Sequence, residues 1–348
     1  MLTPDLPGTG GRIRDRNEDF VVHEVPAYEP SGEGTHLFVR IEKRGITTDD
    51  AVALVAEHTG VPRAAIGFAG RKDKHAVTTQ WFSVPDLEPD RLLGFEAEGM
   101  KVLDARRHGN KLRTGHARGN EFRIVIRDVV PDALRRATAI ISRIEAEGLP
   151  NLFGEQRFGW HGHNVEHALD WIVSDGRKPR TKSLGRLLVS SLQAVLFNQV
   201  VEERLSRGLF STGVLPGDVV KRHDTGGMFV VDDVDEVSGR VRANRVSPTG
   251  PIYGAKMWWP EREAFDFEEG ILAAAGLSRT HLGRFKAYGK GSRRSIRVFP
   301  SDLDIVQEGD DLSVSFFLES GAFATTLLAE ITKTVELVPM SKLTPRGE

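Results

Sequence analysis

The sequence predicts an α+β protein in which a β-rich domain is split by a more helical insertion. Three observations predict this. Apolar and polar residues alternate at strand spacing through much of the chain before Gly148. The same alternation returns near the end, in KAYGKGSRRSIRVFPSDLDIVQ and DLSVSFFLES. Between them, LGRLLVSSLQAVLFNQVVEERL repeats its apolar residues at helical spacing.

In chain order, Phe20 to Val25 and His36 to Glu42 read as two strands joined, hairpin fashion, through Pro30-Ser31-Gly32-Glu33-Gly34. Thr47 or Thr48 caps a helix over DDAVALVAEH. Asp49 and Asp50 lie in its first turn, where the helix dipole favours anions, and Gly60 lies just past its end. AIGFAG and VTTQWFSV read as strands flanking the charged turn Arg71-Lys72-Asp73-Lys74-His75, and MKVLDARR and EFRIVIRDV as two more. Pro131 opens a helix that runs to Gly148. A domain boundary falls at Gly148-Leu149-Pro150, before a loop rich in Gly, His and Asn and the long helix. Short strands follow among Gly, Asp and Pro, and LLAEITKTVEL closes the sequence as a helix.

A chain of 348 residues, 39% hydrophobic, can bury two cores. The absence of cysteine excludes disulfides, thiolate metal sites and a Cys nucleophile. Chemistry therefore falls to carboxylates, hydroxyls, His or Lys. No stretch holds the ~20 uninterrupted apolar residues of a membrane span, and the opening MLTPDLPGTGGR lacks the apolar centre of a signal peptide. The expectation is a cytoplasmic monomer without long heptads.

The formal net charge of −2 conceals an uneven distribution. RRHGNKLRTGHARGNEFRIVIR carries many cations against the single Glu121. A second basic run comprises Arg177, Lys178, Arg180, Lys182 and Arg186, and a third Lys286, Lys290, Arg293, Arg294 and Arg297. Solvated surface charge is the ordinary reading of any one run, but three, interleaved with His, Gly and aromatics, point to a polyanionic partner.

The segment GFAGRKDKHAVTTQWFSV is the most informative. Asp73 lies between Lys72 and Lys74 in a short turn between strands, where a carboxylate can serve as a nucleophile or base. By composition alone such a turn is more often solvated surface. GFAGRKDKHAVTTQ is, however, one of a series with NLFGEQRFGWHGHN, SSLQAVLFNQVVEERL, PTGPIYG, SGAFATTLL and the opening EDFVVHEVPAYEPSGEGTHLFVRIEKRGITT. In order and spacing, over almost the whole chain, this series resembles that of the TruD family of tRNA pseudouridine synthases.

The resemblance implies a pseudouridine-synthase-like mixed, mostly antiparallel sheet with flanking helices, plus an inserted α/β domain. It assigns residues 1–148 and 297–348 to the split catalytic domain and 149–296 to the insertion. It implies isomerisation of uridine to pseudouridine in tRNA, typically at position 13 of the D arm, with Asp73 as the catalytic carboxylate. Asp73 acts either as nucleophile at ribose C1′ or as base at C2′. No cofactor is implied, because every bond-making group belongs to the substrate. A target base within folded RNA must be flipped out and held by stacking and edge hydrogen bonds. By resemblance Phe20, Asn120, Phe122 and Phe323 are the substrate-contacting positions, although Phe20 and Phe122 on strands read ordinarily as core, Asn120 after Gly119 as a turn residue, and Phe323 in a small-residue loop before a helix equally as a core anchor. Arg14 stands where family members carry a basic residue, often lysine, and would supply charge near the carboxylate. Leu152 stands where an aromatic is common, which puts stacking there in doubt.

Two rival readings stay open: an idle RNA-binding module or RNA-folding chaperone, and a carboxylate-pair hydrolase using Asp73 with Glu18. His161, His163 and His167 invite a metal reading, but Gly162 and Asn164 argue against a rigid helix there and no H-E-x-x-H pattern is present. The opening GTGGR is not followed by GK[ST] and is no phosphate loop.

Overall fold

A computed structural model describes residues 1–154, 157–159, 163–173 and 178–334. His161, Arg177, and the end of the predicted last helix lie outside the described residues. The elements begin with β1 (Arg12–Ile13), β2 (Phe20–Pro26), β3 (His36–Arg44), α1 (Thr48–Thr59), β4 (Gly67–Phe68), β5 (Val77–Pro85), β6 (Glu96–Ala97), β7 (Met100–His108), β8 (Ala117–Arg127) and α2 (Ala133–Glu147). They continue with β9 (Leu149–Pro150), α3 (His163–Val173), α4 (Lys182–Ser206), β10 (Val219–Arg222), β11 (Met228–Val230), α5 (Val234–Arg242) and β12 (Val246–Ile252). Last come α6 (Arg262–Ala274), α7 (Arg279–Arg284), β13 (Ser292–Ser295), β14 (Arg297–Val298), β15 (Ser301–Glu308), β16 (Asp311–Glu319) and α8 (Ala324–Thr332).

By contacts the chain divides into two compact units: Gly8–Thr138 with Pro300–Gly321, and Met1–Pro7 with Ala139–Phe299 and Ala322–Glu348. The first unit is built on a ten-stranded sheet ordered β15-β16-β8-β2-β5-β3-β7-β6, with β1 beside β8 and β4 beside β5. Only the β2–β5 pair is parallel. Distant segments of the chain thus supply one sheet, mixed and mostly antiparallel as expected.

The predicted opening hairpin does not form. β5 inserts between β2 and β3, parallel to the former and antiparallel to the latter. Local turn chemistry in Pro30 to Gly34 joins the strands without pairing them, because pairing is decided by which faces bury together. Helix α1 forms where capping predicts it. Thr47 accepts from Asp50 N at 3.1 Å, Asp50 answers to Thr47 N at 2.8 Å, and Gly60 closes the helix at φ 75°. Its Ala51, Val52 and Val55 join Leu37, Val39, Ile41, Phe82, Val84 and Val102 of the sheet in one core.

The second unit centres on α4. Leu188, Val189, Leu192, Val195 and Leu196 pack with Val165, Ala168, Trp171 and Ile172 of α3 and with Tyr253, Leu272, Leu282 and Phe285. Helix α4 is long and apolar enough to cross a membrane by composition, and 72% of its most apolar window is buried inside the protein. The four-stranded sheet β11-β10-β12-β13 and the pair β14-β9 complete the unit.

The grouping of the termini differs from the sequence division at residues 148 and 297. Residues 1–7 and 322–334 pack with the second unit. The buried Glu330 ties the two ends to each other, its carboxylate accepting from Leu2 N at 2.6 Å, Thr3 N at 3.2 Å and Thr3 Oγ1 at 2.7 Å, and α8 meets the second unit where Thr326 Oγ1 donates to Leu152 O at 3.5 Å and Phe323 lies 5.7 Å from Phe153. Two smaller differences are local. Helix α2 begins two residues after Pro131, and α3 begins at His163, so Asn164 is helical after all.

Candidate active site

Asp73 lies in the loop between β4 and β5, and the loop is fixed chiefly through its backbone. Thr48 Oγ1 accepts from Lys72 N at 2.9 Å and donates to Gln80 Oε1 at 2.9 Å, while Gln80 Nε2 donates to Gly70 O at 3.1 Å. Lys43, 1% exposed, reaches under the loop from β3. Its ammonium donates to Asp73 O at 2.7 Å and Ile46 O at 2.9 Å. Three side chains thus hold the segment that carries the carboxylate, which remains one third exposed.

Burial pushes the Lys43 ammonium down to about 8, against the raising influence of Asp73 and Asp50 and with a smaller lowering contribution from Lys72. In the unfolded chain the same group keeps an ordinary lysine value near 10.5. Between those values the unfolded chain binds the proton and the folded one does not, so stability rises with pH. The cost of burying the cation, on the order of 3 kcal/mol, is present below pH 8 and relieved by pH 10.5. Chemical denaturation of wild type from pH 8 to 10.5 should show this gain, and Lys43→Met should lack that component. Equal pH slopes for both proteins would refute it.

Arg14 meets the carboxylate directly, Nη2 donating to Asp73 Oδ2 at 2.8 Å. It follows β1 with φ 64°, a conformation unusual for a side-chain-bearing residue and of the kind that clusters at functional sites. Its guanidinium lies 4.4 Å from the centroid of the Phe20 ring. Phe20, 2% exposed, meets Phe122 edge to face at 6.4 Å, and Phe122 stacks on Phe316 at 5.0 Å. The strand register explains the grouping. Phe122 faces Val22 on β2 and Phe316 on β16, and Asn120 faces Glu24 and Leu318, so Phe20, Phe122, Asn120 and Glu24 share one face of the sheet.

Asn120 is therefore a strand residue, not a turn residue. Gly119 before it is required by the approach of β16, where a Cβ would collide with Leu318 O and the Phe317 ring. Lys72 Nζ donates to Asn120 Oδ1 at 2.6 Å and lies 2.9 Å from Glu24 Oε2, while Glu24 Oε1 accepts from Trp81 N at 3.1 Å.

The structure thus brings Arg14, Phe20, Phe122 and Asn120 to the surroundings of Asp73 within one unit. Phe323 belongs to the other unit, at the N-cap of α8, with its ring 5.7 Å from that of Phe153. Leu152 is buried at 3% exposed, and the aromatic of that motif is Phe153, edge to face with Phe197 at 5.6 Å. Glu18, the second acid of the hydrolase reading, is paired with Arg44.

Sequence reasoning missed Lys43, Glu24 and the bridging part of Lys72. A signal existed. Lys43 has the strand parity of the buried Leu37, Val39 and Ile41, and Glu24 that of Phe20 and Val22. Charges at core parity are costly unless paired, and so mark built networks.

The basic runs divide in the same way. Arg293 is spent on Glu268, at 2.7 Å with both side chains buried. Arg297, 2% exposed and pushed down to about 10 by burial, donates to the carbonyls of Glu147, Val241 and Val246. These two are framework and not phosphate-binding surface. Lys178, Arg180, Lys182 and Arg186 are exposed. His163 contacts Glu166 at 3.1 Å, and among the described residues no group of three potential metal ligands occurs.

The family model of tRNA pseudouridine synthase D (TruD) matches residues 1–176 and 178–331. The chain belongs to the TruD family. It is 43% identical over 347 residues to a tRNA pseudouridine synthase D of Anaeromyxobacter sp. (strain Fw109-5), covering 97% of both chains. It is also 43% identical to that of a Thermus thermophilus strain, covering 97% of this chain and 93% of the relative. Among solved structures, a putative TruD of Methanosarcina mazei shares the fold, with a TM-score of 0.75 at 22% identity and 96% coverage of each chain. These lengths and coverages make the TruD relationship one of whole chains, not of a shared motif.

Proposed function

We propose that this chain isomerises uridine to pseudouridine in tRNA, at position 13 of the D arm, with Asp73 as the catalytic carboxylate. The observation that carries the reading is a partly exposed carboxylate on a pinned loop, ion-paired at 2.8 Å to an arginine lying over an aromatic ring. In this reaction the N1–C1′ bond breaks, the uracil turns, C5 joins C1′, and the proton lost from C5 is balanced by one gained at N1. All reacting atoms come from the substrate, so the enzyme supplies a carboxylate and a grip. Asp73 serves either as nucleophile at C1′ or as base at C2′, and Arg14 is paired with the carboxylate before it reacts. Phe20, Phe122 and Asn120 on the sheet, and Phe323 ahead of α8, are the proposed contacts of the flipped nucleotide.

The test is pseudouridine mapping of unmodified tRNA incubated with purified protein and no added cofactor or metal. A new pseudouridine in the D arm supports the reading; tRNA binding without product favours the chaperone.

The exposed run Lys178, Arg180, Lys182 and Arg186 is proposed to contact tRNA phosphates, which position RNA without reading its sequence. Reversing these four charges should weaken tRNA affinity and flatten its dependence on salt by about one slope unit for each phosphate that is no longer neutralised, with kcat at saturating tRNA unchanged. Unchanged affinity would remove this run from the interface.

A further inference from the structure

We propose that Lys72 and Glu24 are positioning residues that lock the Asn120 side chain as a hydrogen-bond donor, matched to a carbonyl oxygen of the flipped uracil. This deepens the reading above and rests on it. A lysine ammonium carries three donors and no acceptor, so the Asn120 atom 2.6 Å from Lys72 Nζ must be the amide oxygen. That contact settles which way round the amide lies, a choice that the shape of the side chain leaves open. The NH2 group is what remains, and it makes no hydrogen bond to any described residue.

Lys72 is itself fixed. Its side chain is 10% exposed and lies 2.9 Å from Glu24 Oε2, whose side chain is 1% exposed. Glu24 is anchored through its other oxygen to Trp81 N at 3.1 Å. Oε2 accepts no hydrogen bond in good geometry, so the ammonium is held there by charge and keeps its donor direction for Asn120. Glu24 and Asn120 are cross-strand partners, so the carboxylate, ammonium and amide form one short line across β2 and β8. That line shares the sheet face of Phe20, the ring that carries the Arg14 partner of Asp73.

The uracil edge presents acceptor, donor and acceptor at O2, N3 and O4. An amide free to flip would meet this edge with either end, whereas a locked NH2 complements only a carbonyl oxygen. Cytosine replaces O4 by an amino group, which a locked donor cannot satisfy at that position. Preorganisation of this kind removes the cost of ordering the amide when substrate binds.

Because Lys72→Met alone strands a buried carboxylate and could unfold the protein, the test removes both charges together in Lys72→Met/Glu24→Gln. Four proteins are compared: wild type, this double variant, Asn120→Ala, and the triple variant. Single-turnover kcat/KM on a D-arm substrate and the affinity for the same RNA are measured on each. If Lys72 acts through Asn120, the charge-free pair lowers kcat/KM by about tenfold in the wild-type background and by less than about twofold when Asn120 is already alanine. Lys72→Arg, which keeps a donor and a charge, should recover part of the loss. Equal losses in both backgrounds would assign Lys72 to the Asp73 loop or to the fold and overturn the proposal, as would no loss in either. A wild type that forms no pseudouridine defeats the functional reading instead, and the affinity cycle on the same four proteins then decides the Lys72–Asn120 link, absence of coupling overturning it.

Discussion

Asp73→Asn should abolish pseudouridine formation while leaving the protein folded and able to bind tRNA. The substitution is nearly isosteric and keeps an oxygen for Arg14 to donate to, at a pair whose side chains are 25% and 33% exposed. A pair that exposed contributes only about 0–1 kcal/mol to stability. The loop does not depend on the carboxylate, because Lys43 binds Asp73 O and Thr48 binds Lys72 N. What the amide lacks is the negative oxygen that must attack C1′ or take a proton from C2′. Groups in either role contribute about 10²–10⁴ in rate, and a nucleophile with no substitute more. The expected result is a loss of at least about a thousandfold in single-turnover rate, with thermal midpoint and tRNA affinity unchanged. An Asp73→Asn protein retaining more than a tenth of wild-type rate would remove Asp73 from the chemistry.

The elements most legible in the sequence were those specified locally. Helix α1 carries its own capping box and terminal glycine, and Thr47, Asp50 and Gly60 take the positions that their chemistry dictates. The long apolar period of α4 and the alternation of β16 were equally plain, because each element buries a face of its own. Strand order was not legible. Whether β2 neighbours β3 or β5 depends on a parallel pairing across more than fifty residues, which no turn between them records. The grouping of both chain ends was hidden for the same reason, resting on Glu330 reaching Leu2 and Thr3 and on Thr326 reaching Leu152.

At the site, resemblance supplied Asp73, Arg14, Phe20, Asn120, Phe122 and Phe323 as expectations, while the network behind them was left out. Lys43 and Glu24 stand at core parity in β3 and β2, and attention to charge at those positions would have found them. The converse error concerned Arg293 and Arg297. A run of cations in sequence reads as surface, yet β13 and β14 carry these two inward to Glu268 and to a set of carbonyls. What each side chain meets separates the two cases: the adjacent Arg293 and Arg294, of opposite parity, are both held by the framework, by Glu268 and by Asn151.

On the same grounds, the largest stability effect in the molecule is expected at Arg204 and Asp218. Arg204 lies near the end of α4 and Asp218 just before β10, with both side chains fully buried. Arg204 Nη1 donates to Asp218 Oδ2 at 3.1 Å and Nη2 donates to Oδ1, and Asp218 Oδ2 also accepts from Leu215 N at 2.7 Å. The guanidinium lies 5.2 Å from the Phe267 ring centroid. Removing either member alone leaves a buried charge without its hydrogen-bonded partner, near the buried Glu268–Arg293 pair, at a cost of about 3–5 kcal/mol. Removing both leaves no orphaned charge, and an apolar pair of similar volume can be nearly neutral. Asp218→Ala should therefore lower stability to chemical denaturant by about 3–5 kcal/mol, and Arg204→Met/Asp218→Leu should recover more than half of that loss despite being the more heavily altered protein. Losses that simply add would mean that the two side chains act independently, through packing rather than charge.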